Sequence, residues 1–70
     1  MPNLESAIQI KRRANAAIAE LDAIVSDLGG QVAEEEMLAI RKSVGSSIGI
    51  IINQVLEPIF RQYPEIDDDI

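Results

Sequence analysis

The chain offers one strong break in an otherwise continuous helical pattern. From Leu4 to Phe60 apolar residues recur at three-and-four spacing, and the main interruption is Gly29-Gly30. Two long helices joined by a connection as short as "GGQV" must turn back on one another. Each can then offer its neighbour only one face, and that constraint governs what the chain can become.

Asn3 suits a helix N-cap, and Pro2 precedes the first helical residue, where it obstructs nothing. The apolar positions Leu4, Ala7, Ile8, Ile10, Ala14, Ala17, Ile18, Leu21, Ile24, Val25 and Leu28 gather on one broad face. Gln9, Arg12, Arg13, Ala16, Glu20, Ala23 and Asp27 fall opposite. The spacing predicts a first helix over residues 4–28 and a turn at 29–31, with Gly29 or Gly30 in the left-handed position that ends many helices.

The second helix is expected over residues 32–63. Glu34, Glu35 and Glu36 stand in its first turns, where carboxylates meet the positive end of the helix dipole. Its apolar face runs through Met37, Leu38, Ile40, Val44, Ile48, Ile51, Ile52, Val55, Leu56 and Ile59. Pro58 removes a backbone donor and crowds the carbonyl of Gln54. Either the helix kinks near Leu56 and resumes, as the helical spacing of Ile59, Phe60 and Tyr63 favours, or it ends near Glu57 and Pro58 opens a separate turn. The acidic tail at 64–70 reads as frayed.

Size and composition then narrow the outcome. Seventy residues make one domain, close to the length at which a single core becomes marginal. Phe60 and Tyr63 are the sole aromatic residues, and without Cys or His neither disulfides nor the usual zinc sites can help. Oligomerisation is what remains. A formal charge of −6 argues against a nucleic-acid binder. The absence of Cys fits a reducing compartment, the N-terminus lacks the pattern of a secretory signal, and no uninterrupted apolar run approaches the roughly 20 residues of a membrane span. A cytoplasmic protein is expected.

Gly45 and Gly49, four residues apart, form a thinned edge on which another backbone can lie closely. An Ala-rich surface suits it, and the first helix supplies Ala14, Ala16, Ala17 and Ala19 at the matching height. The competing reading is that the glycines are merely tolerated, at about 1 kcal/mol each. The expected interface, for self-association or for a partner, is Val44, Gly45, Ile48, Gly49, Ile51, Ile52, Val55, Leu56 and Ile59. Ile50 projects from the polar face and offers a further contact toward a tetramer.

Arg41 lies near the middle of the second apolar face. Its stem can rest on the core while the guanidinium reaches water. It can also form an ion pair with Asp22 or a partner's carboxylate, and a ligand-binding role ranks third. The "KRR" of Lys11, Arg12 and Arg13 spreads over about 200° of helix, so it reads as solvated surface before it reads as an anion site. Glu65, Asp67, Asp68 and Asp69 lack the alternation and central Gly of a calcium loop.

No nucleophile elbow, lysine dyad or phosphate loop is present, and a helical hairpin has no pocket in which to desolvate a general acid. The chain is expected to be no enzyme and to need no cofactor or metal. The fold class is all-α: an antiparallel helical hairpin, kinked near Pro58, that assembles as a dimeric four-helix bundle. The function expected is that of a homo-oligomeric interaction or scaffold protein. A heteromeric module receiving a partner helix, such as an adaptor, antitoxin or regulatory subunit, is the alternative. A nucleic-acid-associated protein using Lys11, Arg12, Arg13, Arg41 and Lys42 comes third.

Overall fold

The computed structural model describes residues 3–66, and all regular structure among them is helical. Helix α1 spans Leu4–Leu28. Asn3 is extended at its start (φ −104°, ψ 178°), and its Oδ1 accepts a hydrogen bond from the Ser6 N–H at 2.8 Å. One of the orphan donors of the first turn is thereby satisfied.

The exit from α1 departs from expectation. Gly29 stays in the right-handed region (φ −56°, ψ −32°), and no glycine among the described residues has a positive φ. The chain leaves the helix instead through a tight turn in which the Gln31 N–H donates to the Leu28 carbonyl at 3.0 Å. The Gln31 N–H is thereby spent on the last helical residue, where a left-handed cap would direct such a donor to a carbonyl further back in α1. The second helix accordingly starts at Glu34, two residues later than its periodicity implies, with Ala33 as an N-cap that makes no side-chain bond. Glu34, Glu35 and Glu36 fill its first turn and supply the favourable charge that Ala33 lacks.

That second helix runs as α2 (Glu34–Ile51), a single π turn (Ile52–Leu56) and α3 (Glu57–Gln62). The π turn resolves the conflict posed by Pro58. In it the Glu57 N–H reaches the Ile52 carbonyl, five residues back, and Pro58 stands in the first turn of α3, where a missing donor costs little. The extra residue also rotates everything that follows. Met37, Val44, Leu56 and Ile59 are buried, and Ile51 is half-buried. The step from Ile51 to Leu56 is five residues, where an uninterrupted helix would bring back its inner face after three or four. Val55 would hold that place in a plain α-helix, and here it is 39 % exposed.

Tyr63 (φ −131°, ψ 72°) leaves the helical region ahead of Pro64, as the residue before a proline tends to. Pro64–Ile66 then form one 3₁₀ turn, in which the Ile66 N–H donates to the Tyr63 carbonyl at 3.1 Å. This corrects the frayed tail. Ile66 is 3 % exposed and shares a core cluster with Ala7 and Ile59, flanked by Ile8, Ile10, Phe60 and Tyr63. The amine of Lys11 donates to the Ile66 carbonyl and ties the turn to α1. Asp67, Asp68, Asp69 and Ile70 lie outside the described residues.

α1 packs along α2 and the π turn, its beginning near the end of the second helix through the Ala7–Ile59–Ile66 cluster. The buried set is small: Ala7, Ala14, Met37, Val44, Leu56, Ile59 and Ile66, none of them polar. The molecule measures 44 × 19 × 17 Å, with a radius of gyration of 14.7 Å. A compact 70-residue domain would have a radius of about 11 Å. Its accessible surface, 5220 Å², is likewise about a fifth above the usual scaling for 7.6 kDa.

Because Pro58 does not break it, the helix Glu34–Gln62 is 29 residues long, with a mean hydropathy of 1.2 over 18 of them and 11 % of that stretch buried. By length and composition it could cross a bilayer. The expectation against a span rested on short uninterrupted apolar runs and on the polar Arg41, Lys42, Asn53 and Gln54 within this helix.

Replacing Ile66 with Ala should lower stability by about 2–4 kcal/mol, since a nearly inaccessible side chain leaves a cavity. Ile50→Ala, at a half-exposed position, should stay within about 0.5 kcal/mol; urea unfolding followed by circular dichroism reads both. Deleting Gln54 together with Pro58→Ala should convert the π turn to plain α-helix with the inner face kept in register, so the melting temperature should hold. Deleting Ser47, within the regular part of α2, should lose the cooperative transition.

Candidate interaction surface

The nine expected interface residues do not form one surface. Val44, Leu56 and Ile59 turn inward and are buried within the chain. Ile48, Gly49 and Ile51 are half-buried, whereas Gly45, Ile52 and Val55 are exposed. The inward row is already used up on α1. What remains open is its two flanks.

The glycine edge is one flank, and here the structure overturns the close approach of α1. A Cβ placed on Gly45 or on Gly49 would meet nothing within 4 Å. The reason lies in which side chains face which. Ala7 and Ala14 of α1 are buried against a helix whose inward residues are Met37, Val44, Leu56 and Ile59. Small side chains on one helix thus accommodate large ones on the other, and no second thinning is required. Gly45 follows Val44 by one residue, about 100° round the helix, and so looks past α1.

The other flank is a groove of about 360 Å³ lined by Ile10, Arg13, Ala14, Ala17, Ile51 and Val55. Five of these six are apolar. Arg13 stands at its rim, exposed. The periodicity of the first helix places Ile10, Ala14 and Ala17 on an apolar face but does not show that this face is wider than its neighbour can cover. The visible signal was a second row at 10, 13, 17, 20 and 24, offset from the row through 7, 14 and 21.

Arg41 and Asp22 form no ion pair; both side chains are exposed. Arg41 borders a depression of about 440 Å³ beside the connection, with Gly29, Glu34, Glu35, Met37 and Leu38. Arg41 is exposed, in keeping with the reach of a long cationic side chain. Among the described residues Arg61 pairs with Glu57 at 3.7 Å, joining two exposed groups four residues apart, and this contributes little. The "KRR" run divides: Arg12 and Arg13 are exposed, whereas Lys11 sits half-buried on the row of Ala7 and Ala14 and bonds to Ile66. Ile50 and Leu38 are 53 % and 63 % exposed.

No polar side chain among the described residues is buried, so no carboxyl there is held in a desolvated setting. No protein-family model, curated protein or solved structure matches the chain.

The open glycine edge has a direct consequence for stability. Gly45→Ala and Gly49→Ala should each raise the unfolding free energy by about 0.5–1 kcal/mol, because Ala loses less backbone entropy in a helix and has room for its methyl group. Thermal unfolding at low micromolar concentration checks this. A fall in stability for either variant would mean that another surface packs on the edge.

Proposed function

We propose that the chain is a small, non-enzymatic interaction protein that acts as a homodimer, its two helices an antiparallel hairpin and two hairpins a four-helix bundle. The observation that carries this reading is the apolar groove between α1 and the second helix, bordered by Ile10, Ala14, Ala17, Ile51 and Val55. A chain with so few buried side chains has little core of its own, and covering this groove is its most direct source of further burial. The pairing of the start of α1 with the end of the second helix supports the antiparallel arrangement. Absence of Cys supports a cytoplasmic setting.

Sedimentation equilibrium between about 1 and 100 µM should return twice the chain mass, a range suited to a small dimer. Ile51→Asp should shift the equilibrium to monomer by placing a charge in the groove. A wild-type chain that remains a fully helical monomer at 100 µM overturns the proposal.

The length and hydropathy of Glu34–Gln62 favour a second reading, a helix that associates with lipid. Asn53, Gln54 and Glu57 lie inside its apolar stretch, where each costs free energy in hydrocarbon. Co-flotation with neutral phosphatidylcholine vesicles would establish it. Recovery of the dimer in the aqueous fraction would remove it.

A further inference from the structure

α1 carries two rows at helical spacing. One passes through Ala7, Ala14, Leu21 and Val25 and faces the second helix. The other passes through Ile10, Arg13, Ala17, Glu20 and Ile24, and at 3.6 residues per turn these five fall within about 80° of one another. Ile10, Arg13 and Ala17 of this second row border the groove.

The second row is self-complementary. Ile10 and Ile24 stand seven residues on either side of Ala17. Arg13 precedes Ala17 by four residues and Glu20 follows it by three. Read backwards, the row keeps its apolar pattern and inverts its charges. Arg13 and Glu20 are both exposed, and neither makes an ion pair among the described residues.

We infer that the occupant of this groove is a second copy of the chain, its α1 laid antiparallel to the first and crossing it at Ala17 on a twofold axis, so that Arg13 of each protomer meets Glu20 of the other. The inference rests on the homodimer reading and gives it a register. In an antiparallel pair centred on Ala17, Ile10 of one protomer stands level with Ile24 of its partner. Arg13 misses the level of Glu20 by one residue's rise, about 1.5 Å, which two long side chains absorb. A parallel pairing would set Arg13 against Arg13 and Glu20 against Glu20, and like charges in register oppose association. The small methyl group of Ala17 at the crossing keeps the helix axes within the usual 8–10 Å separation. With Cα atoms about 2.3 Å from each axis, axes about 9–10 Å apart set the two Ala17 Cα atoms roughly 4.4–5.4 Å from one another, within disulfide reach. A foreign partner would have no need of a row that is its own complement.

The chain has no Cys, so a single introduced thiol reports the register cleanly. Under mild oxidation Ala17→Cys should link into a covalent dimer. Ala19→Cys, exposed and on the opposite side of α1, should not. Arg13→Glu and Glu20→Arg should each dimerise about tenfold more weakly than the wild type, since two exposed attractions become repulsions. An equimolar mixture of the two variants should form a 1:1 heterodimer, resolved by native mass spectrometry, because both pairs are then restored. Circular dichroism of each variant verifies that helicity is kept. A wild-type dimer in which Ala17→Cys stays unlinked, or in which both charge variants associate as tightly as the wild type, overturns the register and leaves the dimer standing. A wild-type chain that is monomeric throughout overturns both. Linking of Ala19→Cys in place of Ala17→Cys assigns the dimer to the other side of α1 and overturns the register as well.

Discussion

The register shift at Ile52–Leu56 is the constraint on which the rest of the packing depends. A proline within a helix ordinarily leaves a carbonyl unpaired and forces its ring against the preceding turn. Here one extra residue is admitted just ahead of it, and the Glu57 N–H reaches back five residues. The helix continues, and its inner face rotates by about one residue. Leu56 and Ile59 therefore face α1, and the chain arrives at Tyr63 placed so that one 3₁₀ turn brings Ile66 onto Ala7. Without the shift Val55 would turn inward, and the residues behind it would rotate away from Ala7.

The packing that follows is small against large. Ala7 and Ala14 of α1 meet Met37, Val44, Leu56 and Ile59 of the second helix. Such an arrangement brings the helices close but buries little area for each residue on the alanine side. It also explains why the far end of the chain folds back. Ile66 is among the least exposed residues of the molecule, and Lys11 holds its carbonyl. One isoleucine and one charge-assisted hydrogen bond from a residue of the core row thus compensate for the narrowness of the alanine face.

Much of the architecture was legible because helical periodicity is a strong signal over long segments. The extent of α1, its Asn3 cap and the helical nature of residues 34–62 follow from spacing and capping chemistry. The π turn was not read, because Val55 is apolar and continues the plain α-helical row from Ile51; only the burial of Leu56 in its place reveals the shift. Pro58 drew attention to a kink, and either of the expected outcomes treated the proline as damage to be limited. The order of Pro64–Ile66 was hidden by the acidic residues around it. Composition suggested a solvated tail, while the burial of Ile66 depends on a contact with Ala7 more than fifty residues earlier. The glycine edge misled for a related reason. Two small residues on one helix look like an invitation to a neighbour, but a neighbour that is itself alanine-rich already leaves room for large side chains.

The two open flanks of the second helix are unequal, and the difference bears on how an assembly would close. At 100° per residue Gly45 and Ile51 lie about 120° apart, on either side of the row through Val44 and Ile48. The flank of Ile51 is continued across onto α1 by Ile10, Ala14 and Ala17, so it offers a concave strip made by two helices. The flank of Gly45 belongs to the second helix alone and is bare of side chains where the glycines stand. A twofold contact uses one patch on both partners and is complete once formed. The concave strip meets that requirement, since its charged residues complement one another on reversal. A contact on the glycine flank would draw on the second helix alone and so would bury less apolar surface per chain than one seated on the strip. A twofold contact through the groove would therefore be complete at two chains and would leave the glycine flank outward.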